Sequence, residues 1–272
     1  MYSFLINGKR IGLCLGSGGA RGFAHIGVMQ VLEENHIVPD MICGCSVGAA
    51  FGAVYAAGTN LYLLGKYLGT LDYRTTVDMS MPTHGGILNG DKIEELTKIL
   101  THNLTAEETK IPFYCVATDL LTGQLQVFEK GSLHRMVRAS IAVPGVFIPA
   151  EIDGHYYVDG GVLSELPVSV LREKGADIVI TSDLGIKRNQ FDPQHFSPID
   201  VLRRASDIMQ GAMTQRQADK GDVVIRPDAS FVRGLLSTAS YEESLEAGRQ
   251  TATEALPRIK ELLGIEDLTE AL

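Results

Sequence analysis

No run of about 18 consecutive apolar residues occurs anywhere in this 272-residue chain, so a transmembrane helix is not expected. Positive charge is also short: 24 Lys and Arg stand against 33 Asp and Glu, a formal net charge of −9. A phosphate-dominated partner needs a basic face, which argues against nucleic acid and against firm attraction to anionic membranes. Cysteine is scarce, with Cys14, Cys43, Cys45 and Cys115 all in apolar, strand-like segments. None has metal-ligand spacing with a histidine, so no metal is expected. Cys43 and Cys45 lie two apart on one strand, facing the same way, and cannot easily meet disulfide geometry. Buried reduced thiols in a cytoplasmic protein are the expectation. Lys9 and Arg10 follow the first apolar stretch, the reverse of the order in a secretory signal. Repeats, low-complexity tracts and linkers are lacking too. One domain over 1–272 is expected, with a motif core over about 10–185 and a helical extension over about 198–264.

What is present is an alternation of strand and helix signals. Apolar runs at 11–15 and 41–45 read as buried strands, the first feeding the glycines of 16–22. Between them 24–34 reads as a helix, with Gly27 allowing close packing. The segment 47–57 is apolar all round, as a core helix would be. Further on, 91–100 reads as a helix, 113–118 and 124–128 as two strands around Thr122–Gly123, and 156–158 as a short strand. A β-branched run at 178–181 predicts a parallel core strand. Helix over 199–220, strand over 223–225 and helix over 241–263 close the chain. Such alternation predicts an α/β fold with a mainly parallel sheet.

Three local features carry chemistry. Gly44-Cys45-Ser46-Val47-Gly48 is a G-x-S-x-G between a strand and a helix, the setting of a nucleophilic serine on a sharp turn. The helix beginning at Val47 adds its free amides beside that serine. Gly16-Ser17-Gly18-Gly19-Ala20-Arg21-Gly22 can point several amides into one concavity, which suits an oxyanion. Phosphate is the rival ligand for such a loop, but no Walker lysine follows and the spacing departs from G-x-G-x-x-G. Asp159-Gly160-Gly161 ends a short strand; it reads equally as a base reaching a neighbouring loop and as an ordinary Asp-Gly turn.

Taken in this order, the blocks resemble the patatin-like phospholipase family, and most nearly its small bacterial members related to the catalytic domain of neuropathy target esterase. The resemblance rests on Gly18 to Gly22 followed by Phe23-Ala24-His25-Ile26-Gly27-Val28, and on Gly44 to Ala49. Arg138-Ala139-Ser140-Ile141-Ala142-Val143-Pro144 and Asp159-Gly160-Gly161 complete it, so that it runs from about 11 to 183. It implies a three-layer α/β/α fold and a Ser46–Asp159 dyad without cofactor. It also implies an oxyanion hole of amides around Gly18, Gly19 and Ala20. Arg21 matches the basic residue of that loop and is expected to fix it or to meet substrate charge. Gly44, Gly48, Gly160 and Gly161 support the two turns, and the block over 139–144 is expected to floor the site. Ser17, Cys45 and Val47 stand where glycine, threonine and alanine are frequent in the family, which bears on acyl preference.

The implied activity is hydrolysis of lipid acyl esters of lysophospholipase or phospholipase type, through an acyl-serine intermediate. The implied partner is a lipid or acyl-ester substrate met in transient contact with membranes or micelles, and nothing in the sequence sets an oligomeric state. Two other readings stand beside it. Ser46, Asp183 and His195 follow the chain order of an α/β-hydrolase triad, although only one strand and one helix precede the serine and His195 lies in a polar stretch. A lipid-binding or regulatory protein that retains the fold is the other. The leucines and tyrosine of 60–71 are expected to be core rather than an acyl-pocket cover. Met209 and Met213 read most simply as core, and His25 as a packing residue.

Overall fold

The computed structural model describes residues 6–71, 77–80, 85–185, 197–232 and 240–265. Every buried strand has the alternating pattern that lets one sheet take helices on both sides. In β1 (Ile11–Leu15), Ile11, Leu13 and Leu15 face one core while Cys14 faces the other. β2 (Met41–Cys45) sends Ile42 to the first and Met41, Cys43 and Cys45 to the second. The remaining strands are β3 (Phe113–Asp119), β4 (Leu125–Phe128), β5 (Ala150–Ile152), β6 (His155–Asp159), β7 (Ile178–Ser182) and β8 (Val223–Ile225). They form one eight-stranded sheet in the order β5-β6-β3-β2-β1-β7-β8, with β4 hydrogen-bonded to β3 off that path. The run β3-β2-β1-β7-β8 is parallel, whereas β4 and β6 pair antiparallel to β3 and β5 antiparallel to β6.

Helices α1 (Phe23–Glu34), α2 (Val47–Ala56) and α8 (Tyr241–Leu263) cover the first face. α6 (Val168–Glu173) and the end of α7 (Pro198–Ala218) cover the second. The remaining helices are α3 (Leu61–Thr70), α4 (Asp91–Leu100) and α5 (Leu133–Ser140). This is the expected α/β/α layering. α1 and α8 touch through glycine: a Cβ on Gly27 would lie 2.1 Å from the Leu245 carbonyl oxygen, and one on Gly248 2.0 Å from that of Ala24. Among the described residues no helix is long and apolar enough to cross a membrane.

Two expectations about apolar stripes need correction. In α3, Leu61, Leu64 and Leu68 are buried, but Leu63 and Tyr67 are 66% and 48% exposed. An amphipathic helix seats one face only, so the stripe is half core. Met209 is 66% exposed, beside Val201, Leu202 and Ile208 on an open face of α7, so it is not a core residue; Met213 is half-buried.

Candidate active site

Ser46 stands at the carboxyl end of β2, where the chain reverses into α2. Its backbone has φ 55° and ψ −123°, a left-handed conformation costly for a residue with a Cβ and found where the surroundings enforce it. Enforcement begins with the flanking glycines. A Cβ on Gly44 would sit 2.5 Å from the backbone of Gly48 and Ala49, and one on Gly48 2.2 Å from the Leu15 carbonyl oxygen. The Ser46 amide donates to Ser140 Oγ at 2.9 Å, and the Ser140 hydroxyl donates to the Val116 carbonyl at 2.7 Å.

Asp159 ends β6, the strand that places it opposite Ala117 of β3. Its amide donates to the Ala142 carbonyl at 2.9 Å, and its own carbonyl accepts from Thr118 Oγ1 at 3.2 Å. Gly160 has to be glycine, because a Cβ there would lie 2.4 Å from the Val116 oxygen. The carboxyl group is buried. Oδ1 accepts from the Gly161 amide at 2.7 Å and from the Cys45 thiol at 3.8 Å, while Oδ2 is buried with no hydrogen-bond partner. Burial pushes the Asp159 pKa up to about 6, against the pull of the Ser46 hydroxyl, the Gly161 amide and the Cys45 thiol. Ser46 is thus near enough to influence the carboxyl.

The glycine loop lies beside both. Residues Gly19–Gly22 form a short 3-10 turn, with Gly19 at φ 56°. The first amides of such a turn have no partner within it, and among the described residues no backbone carbonyl accepts from Gly18, Gly19 or Ala20. Arg21 fixes this loop: its Nε donates to the Gly18 carbonyl at 3.1 Å, and its Nη1 to the carbonyls of Leu184, at 3.0 Å, and Gly185. His25 is fully buried between Ser182 Oγ, 2.8 Å from Nδ1, and the Gly16 carbonyl, 2.9 Å from Nε2. Desolvation lowers its pKa to about 4, so it stays neutral, as a packing histidine should.

Gly19, Ala20 and Ser46 open onto an apolar cavity of about 170 Å³, walled mainly by Phe23, Phe51, Ile93, Ile141, Val143 and Phe147. Val47 lines it as well, whereas Cys45 points to the opposite face of the sheet, toward Asp159. Of the two residues flanking Ser46, only Val47 therefore lines this cavity. The 139–144 block does more than floor the site, since its Ile141 and Val143 are pocket wall.

Asp183 is occupied elsewhere: Oδ1 accepts from the Gly185 amide at 2.8 Å and Oδ2 pairs with Arg226 Nε at 3.1 Å. His195 and His84 lie outside the described residues. His134 and His155 pair with Glu94 and Asp119, at 2.9 and 2.8 Å, away from the pocket lining. Among the described residues no group of three or more His, Cys, Asp or Glu could hold a metal ion. All four cysteines are buried and free, and burial raises their thiol pKa values.

One neighbour of Asp159 has no signal in the sequence. Glu165 accepts a hydrogen bond from Thr214 of α7, and burial pushes its pKa up to about 7, with the Asp159 charge contributing in the same direction. It stands in no motif, and only the return of a distant helix makes it a partner.

The chain is similar to several known proteins. An uncharacterized NTE family protein of Mycobacterium tuberculosis is 41% identical over 177 residues, covering 64% of this chain and 49% of the relative. A second from the same organism is 31% identical over 287 residues, covering 92% and 47%. The chain spans about half the length of these curated relatives. In fold it is similar to VipD of Legionella pneumophila, with TM-score 0.53, 14% identity and 92% and 67% of the two chains covered. The type III effector ExoU of Pseudomonas aeruginosa gives TM-score 0.51 at 16% identity, with 92% and 53% covered. The family model described as patatin-like phospholipase matches residues 13–172, which hold the glycine loop, the Ser46 turn and Asp159. The chain belongs to the patatin-like phospholipase family.

Proposed function

We propose that this protein is a cofactor-free serine hydrolase of lipid acyl esters, with Ser46 as nucleophile and Asp159 as its base. The observation that carries the reading is one juxtaposition. A serine held at positive φ beside a buried carboxyl with an unpartnered oxygen opens, together with unclaimed amides, onto an apolar cavity. A buried polar atom without a partner is costly and is retained where chemistry uses it. Asp159 Oδ2 takes the Ser46 proton as Oγ attacks the ester carbonyl carbon. The carbonyl oxygen becomes an oxyanion that accepts from the Gly18, Gly19 and Ala20 amides. As the alcohol leaves, the proton passes back to it from Asp159; water then attacks acyl-Ser46 by the same path, releasing the fatty acid and restoring the serine. A carboxylate with pKa near 6 is a stronger base than a solvated aspartate and is still ionised at neutral pH.

Lysophospholipids and other single-chain esters are the substrate class that fits. The cavity is close in size to one that holds benzene, so about six carbons can be enclosed while the rest of a chain and the head group lie outward. The protein meets such lipids transiently, at the surface of micelles or membranes, and its acidic balance favours zwitterionic over anionic lipid.

Turnover of a p-nitrophenyl ester series and of lysophosphatidylcholine tests the proposal. Ser46→Ala and Asp159→Asn should each lower kcat by ~10³-fold or more with folding intact. Retained activity in Asp159→Asn, with loss in His195→Ala, would replace the dyad with a triad. A wild-type protein that binds these lipids without turnover would instead be a binding or regulatory member of the fold.

A further inference from the structure

The end of α5 reaches the backbone of both dyad residues. Ser140 Oγ accepts from the Ser46 amide at 2.9 Å, and two residues later the Ala142 carbonyl accepts from the Asp159 amide at 2.9 Å. Ser140 is fully buried and its own proton goes to the Val116 carbonyl at 2.7 Å. That choice leaves the lone pairs of Oγ for the Ser46 amide. Val116 belongs to β3, which lies between β2 and β6, the strands that end at the dyad: Cys45 is opposite Val116, and Asp159 opposite Ala117. We propose that Ser140 is a positioning residue that holds the strained Ser46 turn in its attacking conformation and, with Ala142, sets the separation of nucleophile and base. The inference rests on Ser46 being the nucleophile.

The physical case is about strain. A left-handed non-glycine residue reverts unless its surroundings over-determine it. Gly44 and Gly48 remove obstacles to the turn, but they make no attractive contact with Ser46 itself. The hydrogen bond to its amide does, and Ser140 supplies it without being among the residues that line the pocket. The plain alternative is that Ser140 merely satisfies two buried backbone groups. In that case its loss lowers stability and leaves the chemistry of each folded molecule unchanged.

Kinetics of acyl-ester turnover and the rate of covalent labelling of Ser46 by a fluorophosphonate separate the two. Ser140→Ala should slow labelling and lower kcat by ~10- to ~100-fold, with KM within about twofold of wild type. Ser140→Thr, which keeps the hydroxyl, should recover most of the rate. Thr101→Ala serves as the control: Thr101 is equally buried and donates to the Thr97 carbonyl at 2.7 Å, on another helix. It should lower Tm and leave the labelling rate unchanged. Should Ser140→Ala not fold, Ser140→Cys, with its weaker acceptor, is measured in its place and should be slower than Ser140→Thr. Wild-type labelling rates in the folded Ala or Cys variant would overturn the proposal. A wild-type protein that labels no better than Ser46→Ala would overturn the nucleophile assignment, and this inference with it.

Discussion

Burial of Asp159 raises its affinity for a proton, and the cost of ionising it falls on the fold. Because its folded pKa of about 6 lies above the ordinary value of 3.8, the folded protein holds the extra proton between those limits. The sign follows: stability contributed by the neutral carboxyl is full below about pH 4 and is lost as pH rises through about 6. On the proposed mechanism activity should run the other way, since the carboxylate must be ionised to take the Ser46 proton. A plot of kcat/KM against pH should rise through about 6, and a flat profile from pH 5 to 8 would remove Asp159 from the role of base. The shift corresponds to about 3 kcal/mol. Asp159→Asn should therefore be inactive yet ~1–3 kcal/mol more stable than wild type at pH 8, the gain shrinking toward pH 4. Denaturant melts at the two pH values check this. His25 acts in the opposite sense. Its lowered pKa makes the neutral ring a source of stability above about pH 6.5, lost as pH falls toward 4.

At the scale of elements, motif and packing were not equally readable. The strand–turn–helix at Ser46 was legible because sharp reversal leaves few residue choices: Gly44 and Gly48 are read directly from the clash that a Cβ would cause. α5 and α6 were not, since both are short and carry too few turns for a 3.6-residue period to emerge. β5 and β6 pair across the turn formed by Asp153 and Gly154, both at positive φ, and only the second strand had a clear signal. The pocket wall is likewise assembled from four separate stretches, and Ile93 of α4 reached it with no local pattern to mark it. Ile93 is half-buried, so Ile93→Ala should enlarge the cavity at little cost to the core. The optimum of a p-nitrophenyl ester series should move to longer acyl chains; an unchanged profile would mean that the chain does not lie against α4.

For the whole molecule, the late helices complete what the motif-bearing segment begins. α8 lies along α1, the helix that follows the glycine loop, with backbone contacts at Gly27 and Gly248. Phe23, a pocket residue at the start of α1, packs edge-on against Tyr241 at the start of α8, with ring centroids 5.2 Å apart. The Arg249–Glu34 pair at 2.9 Å lies partly exposed on the same seam and contributes little, about 0–1 kcal/mol. Close packing, not that ion pair, should dominate. Gly248→Val forces a side chain where 2.0 Å is available, and a loss of ~3 kcal/mol or more is expected in denaturant melts. Arg249→Ala should cost under about 1 kcal/mol.

Local sequence carries the alternation of elements, the mainly parallel sheet and the turns at residues 16–22, 46 and 159. Each of these depends on local periodicity or on a backbone geometry open to few residue types. Tertiary structure alone decided which distant groups surround the site. Ser140 meets Ser46 across 94 positions, Thr214 meets Glu165 across 49, and Cys45 meets Asp159 across 114. The same holds for the basicity of Asp159, because desolvation depends on what the sheet and α5 pack around a side chain and on no property of its neighbours in sequence.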